Sequence, residues 1–200
     1  MRRIALTGGI ATGKSHVRAQ FDALGVPTID SDVLAREAVA PGTSGFAAVV
    51  RAFGGEVVDA DGTLDRRKLA RLVFPDEAAR QALEAIVHPA VRRSTEAWFG
   101  TLDAARHPFA VADIPLLYEV GRDRDFDEVI VVACAPAAQV ERVMKRDGLT
   151  EAEARQRLAS QLPIDEKVRR ADHVILTDGS IDETNRQVRA LWAQLTAQLG

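Results

Sequence analysis

A three-layer α/β/α fold around a five-stranded parallel sheet is what this sequence predicts, and three observations predict it. Short apolar runs with few charges recur at 3–6, 26–29, 109–114, 128–133 and 173–176, as expected of strands covered on both faces. Segments of helical periodicity separate them, and strands alternating with helices pair in parallel through right-handed crossovers. Finally, the first run passes directly into a glycine-rich turn and a helix. In open α/β sheets that turn lies at the carboxyl edge, where ligands bind.

Taken in order, the first strand feeds a helix that runs from Lys14 to Leu24 and stops at Gly25, a residue suited to the position just past a helix end. After the second strand comes an insertion of about 32–106. It carries turn signals at Pro41-Gly42 and Asp61-Gly62 and helical segments at 66–74 and 77–99. An insertion at the carboxyl end of a strand suits a substrate-holding subdomain. The third and fourth strands precede an arginine-rich helical stretch, about 139–162, broken at Gly148-Leu149-Thr150 and suited to a mobile lid. The last strand is followed by a helix that Ser180 can cap, with Val188, Leu191, Trp192, Leu195 and Leu199 on one core-packing stripe. The nucleotide-holding core is then about 1–31, 107–138 and 163–200.

Composition narrows the function. With 46% hydrophobic and 28% charged residues, the chain can bury a core and keep a polar surface. A formal charge of −3 argues against a protein that coats nucleic acid. The one cysteine, Cys134, sits in an apolar run and reads as a packing residue. No apolar stretch reaches the length of a membrane span. The two N-terminal arginines precede only Ile4-Ala5-Leu6, a first strand rather than a signal peptide, so the protein is expected in the cytoplasm.

The chemistry starts at Gly8-Gly9-Ile10-Ala11-Thr12-Gly13-Lys14-Ser15, which matches the phosphate-loop pattern of a P-loop NTPase fold in full. Its glycines let the backbone turn its N–H groups inward, so that the amides of Gly9 to His16 and a helix N-terminus face one anion, here a nucleotide phosphate. Lys14 would reach the terminal phosphates and the Ser15 hydroxyl would bind Mg²⁺. Ala11 and Thr12 stand where such loops often have Gly and Ser, and a methyl at Ala11 fits if its φ is negative.

Switch GTPases need a guanine-reading Asn-Lys-x-Asp, which is absent, and large motor ATPases need a longer chain. A small-molecule or nucleotide kinase remains, with a nucleotide-binding regulatory module as the alternative. A kinase needs a carboxylate at the acceptor hydroxyl and a lid that brings arginines. The second strand ends Ile29-Asp30-Ser31-Asp32, where the alternation expected of a strand puts both carboxylates on one side. Asp32 can hold a hydroxyl or help position Mg²⁺, while Asp30 reads equally as a helix cap. The single carboxylate at the end of the third strand, Asp113, is a second candidate for Mg²⁺. Arg142 and Arg146, four apart on one helix face, suit phosphate oxygens, or else belong to a solvated face paired with Glu141 or Asp147.

Several short motifs occur in order along the chain: Leu6-Thr7-Gly8-Gly9-Ile10, Ile29-Asp30-Ser31-Asp32, Gly62-Thr63-Leu64-Asp65-Arg66, and Leu83-Glu84 before His88-Pro89. Ile114-Pro115-Leu116-Leu117-Tyr118-Glu119, Arg142 with Arg146, Gln161 and Ala171-Asp172 complete the set. Together they make the whole chain resemble the dephospho-coenzyme A kinase family. The resemblance implies a nucleotide-binding core, a helical insertion that binds coenzyme A, and a helical lid. It implies Mg²⁺-dependent transfer of the ATP γ-phosphate to the ribose 3′-hydroxyl of dephospho-CoA. On that reading Asp32 is the base or hydroxyl-orienting group, Lys14 the phosphate clamp, and Arg142 and Arg146 the lid contacts. Thr7, Arg66, His88 and Glu119 lie in or beside the acceptor site. No nucleic-acid or membrane partner is expected, and the chain is expected as a monomer or weak oligomer. At the last strand, Ile175-Leu176-Thr177-Asp178 replaces the family's usual Asp-Asn pattern.

Overall fold

The computed structural model describes residues 1–197. Its elements run β1 (Arg2–Gly8), α1 (Lys14–Ala23), β2 (Thr28–Asp30), α2 (Ser31–Ala38), α3 (Ser44–Phe53), α4 (Arg66–Val73) and α5 (Glu77–Ala104). They continue through β3 (Phe109–Asp113), β4 (Glu128–Ala133), α6 (Pro136–Asp147), α7 (Glu151–Ala159), α8 (Ile164–Arg169), β5 (His173–Leu176) and α9 (Ile181–Ala197). Two compact units result: Met1–Ile29 with Leu102–Gly200, and Asp30–Thr101.

The first unit is built on the sheet, in the order β2-β3-β1-β4-β5. β1 pairs in parallel with β3, which sets Leu6 against Asp113, and with β4, which sets Gly8 against Val132. Parallel pairing exposes neither face to water, and β1 shows it: Ile4, Ala5 and Leu6 are all 0% exposed. Ile4, Leu6, Val111, Ile130, Val132 and Ile175 form one cluster with Val17 and Phe21 of α1 and Val188, Leu191 and Leu195 of α9. The alternate residues Ala5, Ala110, Ala112, Val129 and Val131 are buried as well, so the central strands are covered on both sides. β5 departs from that expectation. Ile175 is 1% exposed but Leu176 is 52% exposed, because an edge strand ends the layer that would cover its second face. Cys134, just past β4, is buried, and burial pushes its thiol upward in pKa, so it is an inert packing group. Trp192 packs against the cluster as expected, whereas Leu199 lies outside the described residues.

The second unit has its own core of Val39, Val49, Val57, Leu64 and Leu69, to which Phe46, Phe53 and Leu83 add partly buried surface. Its helices start where short polar side chains satisfy free amides. Thr43 accepts from the Phe46 N–H, Asp65 from those of Arg67 and Lys68, and Asp76 from those of Ala78 and Ala79. At Gly45 a Cβ would stand 2.1 Å from the Ala38 carbonyl oxygen, so only glycine lets α3 pass α2 there. α5 runs through Pro89, as the helical segment at 77–99 requires, which puts His88 mid-helix. One lost backbone hydrogen bond is tolerated in a helix of 28 residues.

Candidate active site

The loop between β1 and α1 is shaped by three glycines, each for a different reason. A Cβ on Gly8 would lie 2.6 Å from the Val132 carbonyl oxygen, and one on Gly9 would lie 2.4 Å from Gln139 Nε2. Gly13 instead has space but a φ of 85°, and it caps α1 without a side chain. The first amides of α1 therefore have no side-chain cap and, with the positive end of the helix dipole, form an anion site. Thr12 turns inward, 1% exposed, and its hydroxyl donates to the Gly9 carbonyl at 3.0 Å. Ala11 has a φ of 57°, so the negative φ expected for its methyl is not what the loop adopts. The turn needs a left-handed residue at this point, and alanine takes that conformation at a cost of about 1–2 kcal/mol. The His16 N–H donates to the Gly13 carbonyl at 3.0 Å, while its ring meets Asn185 Oδ1 at 2.7 Å. Ser15 is exposed in the first turn.

The parallel register that sets Leu6 beside Asp113 brings that carboxylate to the loop. Asp113 is 1% exposed; Lys14 pairs with one of its oxygens, and Arg18 Nε stands 3.5 Å from the other. A hydroxyl (Ser15) and a carboxylate (Asp113) are hard oxygen donors of the kind Mg²⁺ takes. Because Mg²⁺ keeps several waters and the substrate phosphates in its shell, two such protein donors fit it.

Arg142 does not lie on a solvated face. Its guanidinium donates to the Ala11 carbonyl at 3.3 Å, to the Thr177 hydroxyl at 3.1 Å and to the Thr177 carbonyl at 2.6 Å. Thr177, at the position where the sequence departs from the family pattern, in turn donates to the Thr12 carbonyl at 2.7 Å. Arg146 is different: it is 59% exposed and makes a two-bond pair with Asp147, which raises its pKa and holds the Asp147 carboxyl below the usual range. α6 and α7 form a hairpin whose buried Val140, Val143 and Ala154 pack against Ile10 and Ala11 of the loop.

Thr7 is 0% exposed and its hydroxyl donates to the Pro115 carbonyl at 3.2 Å, in the wall behind the loop. Glu119 accepts from Lys167 at 2.8 Å and from the Leu162 N–H at 3.0 Å. In the second unit, Asp30 is the cap of α2, its carboxylate accepting from the Asp32 N–H at 2.8 Å. Asp32 is therefore a first-turn helix residue with an exposed carboxylate, not a continuation of the strand alternation. Arg66 opens α4 and His88 lies within α5, both exposed.

Sequence reasoning missed Gln139, Lys167 and Thr177. Gln139 is 4% exposed; its amide donates to the Ile10 carbonyl at 2.7 Å, while Gln161 accepts from the Ile10 N–H at 3.0 Å. Gln139 stands beside Val140 and four before Val143, on the buried face of α6, and that spacing was its only signal.

A parallel sheet whose first strand delivers a glycine-rich loop, a helix-borne lysine and a neighbouring buried carboxylate is the nucleotide site of a P-loop kinase. Comparison with known proteins narrows this. The family model for dephospho-CoA kinase matches residues 2–183. A dephospho-CoA kinase of Anaeromyxobacter dehalogenans is 50% identical over 100% of this chain and 95% of its own length. Among solved structures, TT1252 from Thermus thermophilus superposes with a TM-score of 0.81 at 38% identity, covering 97% of each chain. A dephospho-CoA kinase from Campylobacter jejuni gives 0.76 at 26% identity, covering 98% of each. The chain belongs to the dephospho-CoA kinase family.

Proposed function

We propose that this protein transfers the γ-phosphate of ATP to the 3′-hydroxyl of the ribose of dephospho-CoA, the last step of coenzyme A formation. The observation that carries the reading is a complete phosphate loop, with Lys14 beside a buried Asp113, in a chain that belongs to this kinase family along nearly its whole length. Phosphoryl transfer asks the protein mainly to position and to neutralise charge. The loop amides and the start of α1 hold the nucleotide phosphates, and Lys14 leaves Asp113 to meet the migrating group. Ser15 and Asp113 are the residues that would hold the Mg²⁺ accompanying ATP, and that ion would supply charge neutralisation for the phosphates. Asp32 accepts the proton of the acceptor hydroxyl or orients that hydroxyl. Residues 32–106 supply the acceptor site with Arg66 and His88, and 139–162 act as the lid with Arg142 and Arg146. Among the described residues no helix is long and apolar enough to cross a membrane. We take the protein to act in the cytoplasm as a monomer or weak oligomer.

The test is a transfer assay with Mg-ATP in which dephospho-CoA is compared with nucleoside monophosphates. Formation of coenzyme A with dephospho-CoA alone supports the reading. Preferential phosphorylation of a monophosphate would replace it, and nucleotide binding without any product would leave a regulatory module.

A further inference from the structure

We infer that Lys167 is a positioning residue for the transfer reaction, fixing the first residue of the phosphate loop to the root of the lid through Glu119. The proposal rests on the kinase reading above and deepens it.

An ammonium that is 0% exposed requires a full set of acceptors, and Lys167 has three for its three N–H bonds. They are the Gly8 carbonyl at 3.2 Å, the Pro115 carbonyl at 3.3 Å and Glu119 Oε1 at 2.8 Å. Each marks a different part of the machinery. Gly8 is where β1 becomes the loop, and Pro115 follows the strand that carries Asp113. Glu119 Oε1 also accepts the N–H of Leu162 at 3.0 Å, two residues before α8 begins. The residue before Leu162 is Gln161, which holds the Ile10 N–H at 3.0 Å.

The lid hairpin therefore returns to the core through a joint bound at two points, with the loop tip at one and the Lys167–Glu119 pair at the other. Catalysis by positioning is sensitive to small displacements, since a shift of about 1 Å can cost about 10² in rate. The three acceptors of Lys167 are protein groups and its ammonium is fully buried, so it acts through Gly8 and, by way of Glu119, Leu162. In this arrangement Glu119 serves the joint rather than the acceptor.

The test compares Lys167→Met with the double variant Lys167→Met/Glu119→Gln, which leaves neither charge buried alone and so favours a folded protein. Folded fraction is measured by circular dichroism, and rates are expressed per folded molecule. We expect kcat with dephospho-CoA to fall about 30- to 100-fold in both variants, while KM for dephospho-CoA changes less than about 3-fold. A lowered melting temperature with kcat and KM unchanged would make Lys167 structural only and overturn the proposal. A raised KM for dephospho-CoA with kcat intact would overturn it in favour of an acceptor contact by Glu119. If the parent chain itself makes no coenzyme A, the kinase reading fails on its own. The joint is then read by trypsin cleavage at Lys145–Arg157: ATP protects the parent, and Lys167→Met loses that protection. Protection equal to the parent's would again overturn the proposal.

Discussion

Two residues of the loop carry the same backbone conformation with opposite fitness for it. Gly13, at φ 85°, has no atom to strain, and an added Cβ would meet nothing nearer than 3.6 Å. Gly13→Ala should therefore cost about 1–2 kcal/mol from backbone strain alone. Ala11→Gly removes strain but adds disorder to the unfolded chain, so it should be neutral to about 1 kcal/mol stabilising. Urea unfolding of the two variants checks the sign difference, and a destabilised Ala11→Gly would contradict the strain argument. On the proposed role of Lys14, Lys14→Met should lower kcat about 10²–10³-fold, because a charge in direct contact with the migrating phosphoryl is lost. The two aspartates at the start of α2 should separate cleanly. Asp32→Asn keeps shape but cannot accept a proton, so kcat should drop about 10²–10⁴-fold with melting temperature unchanged. Asp30→Ala removes a cap and should cost about 1 kcal/mol of stability instead. Steady-state kinetics and melting curves on both variants decide it.

At the scale of elements, the α6–α7 hairpin carries a pH dependence with a defined sign. Thr150 and Glu153 form a capping box at the start of α7, and the hydroxyl and N–H of Thr150 hold the Glu153 carboxyl below the usual glutamate range. Asp147, at the end of α6, is lowered by Arg146 and then by Arg157. A carboxyl lowered on folding stabilises fully above its unfolded pKa, about 4 for these groups, and loses that contribution as pH falls through the folded value. Amide protection in α6 and α7, taken relative to the intrinsic exchange rate at each pH, should therefore fall below about pH 4 while that of the buried β1 is kept. Glu153→Gln should weaken that dependence. The strands and long helices were legible because their periodicity reports burial. α8, with six residues after Pro163, was too short to show any period, whereas α3 does carry a legible stripe at Phe46, Val49, Val50 and Phe53. Lys167 was hidden for a related reason: in Asp165-Glu166-Lys167-Val168-Arg169-Arg170 it looks like one more solvated charge, and only tertiary packing distinguishes it.

Each unit of the whole molecule carries its own core, and the two should fail differently. Phe21 is 0% exposed within the sheet's main cluster, and Phe21→Ala should cost about 3–5 kcal/mol and weaken ATP binding with it. Val49, also 0% exposed, belongs to the helical unit, so Val49→Ala should raise KM for the acceptor and leave the Kd for ATP within about 2-fold. Calorimetric titration with ATP beside acceptor kinetics separates the two outcomes. The sequence announced the loop and its lysine plainly, since glycine spacing is a local property. The pairing of Lys14 with Asp113 was not legible, because it arises from strand register across most of the chain. That pairing makes nucleotide loading an exchange of partners rather than a simple capture. An anion that draws Lys14 away takes a cation from a carboxylate that is 1% exposed, unless it brings a divalent cation to take the lysine's place. ATP arrives with such a cation and free inorganic phosphate does not, so the loop should discriminate against the commonest small anion of the cell without any steric filter.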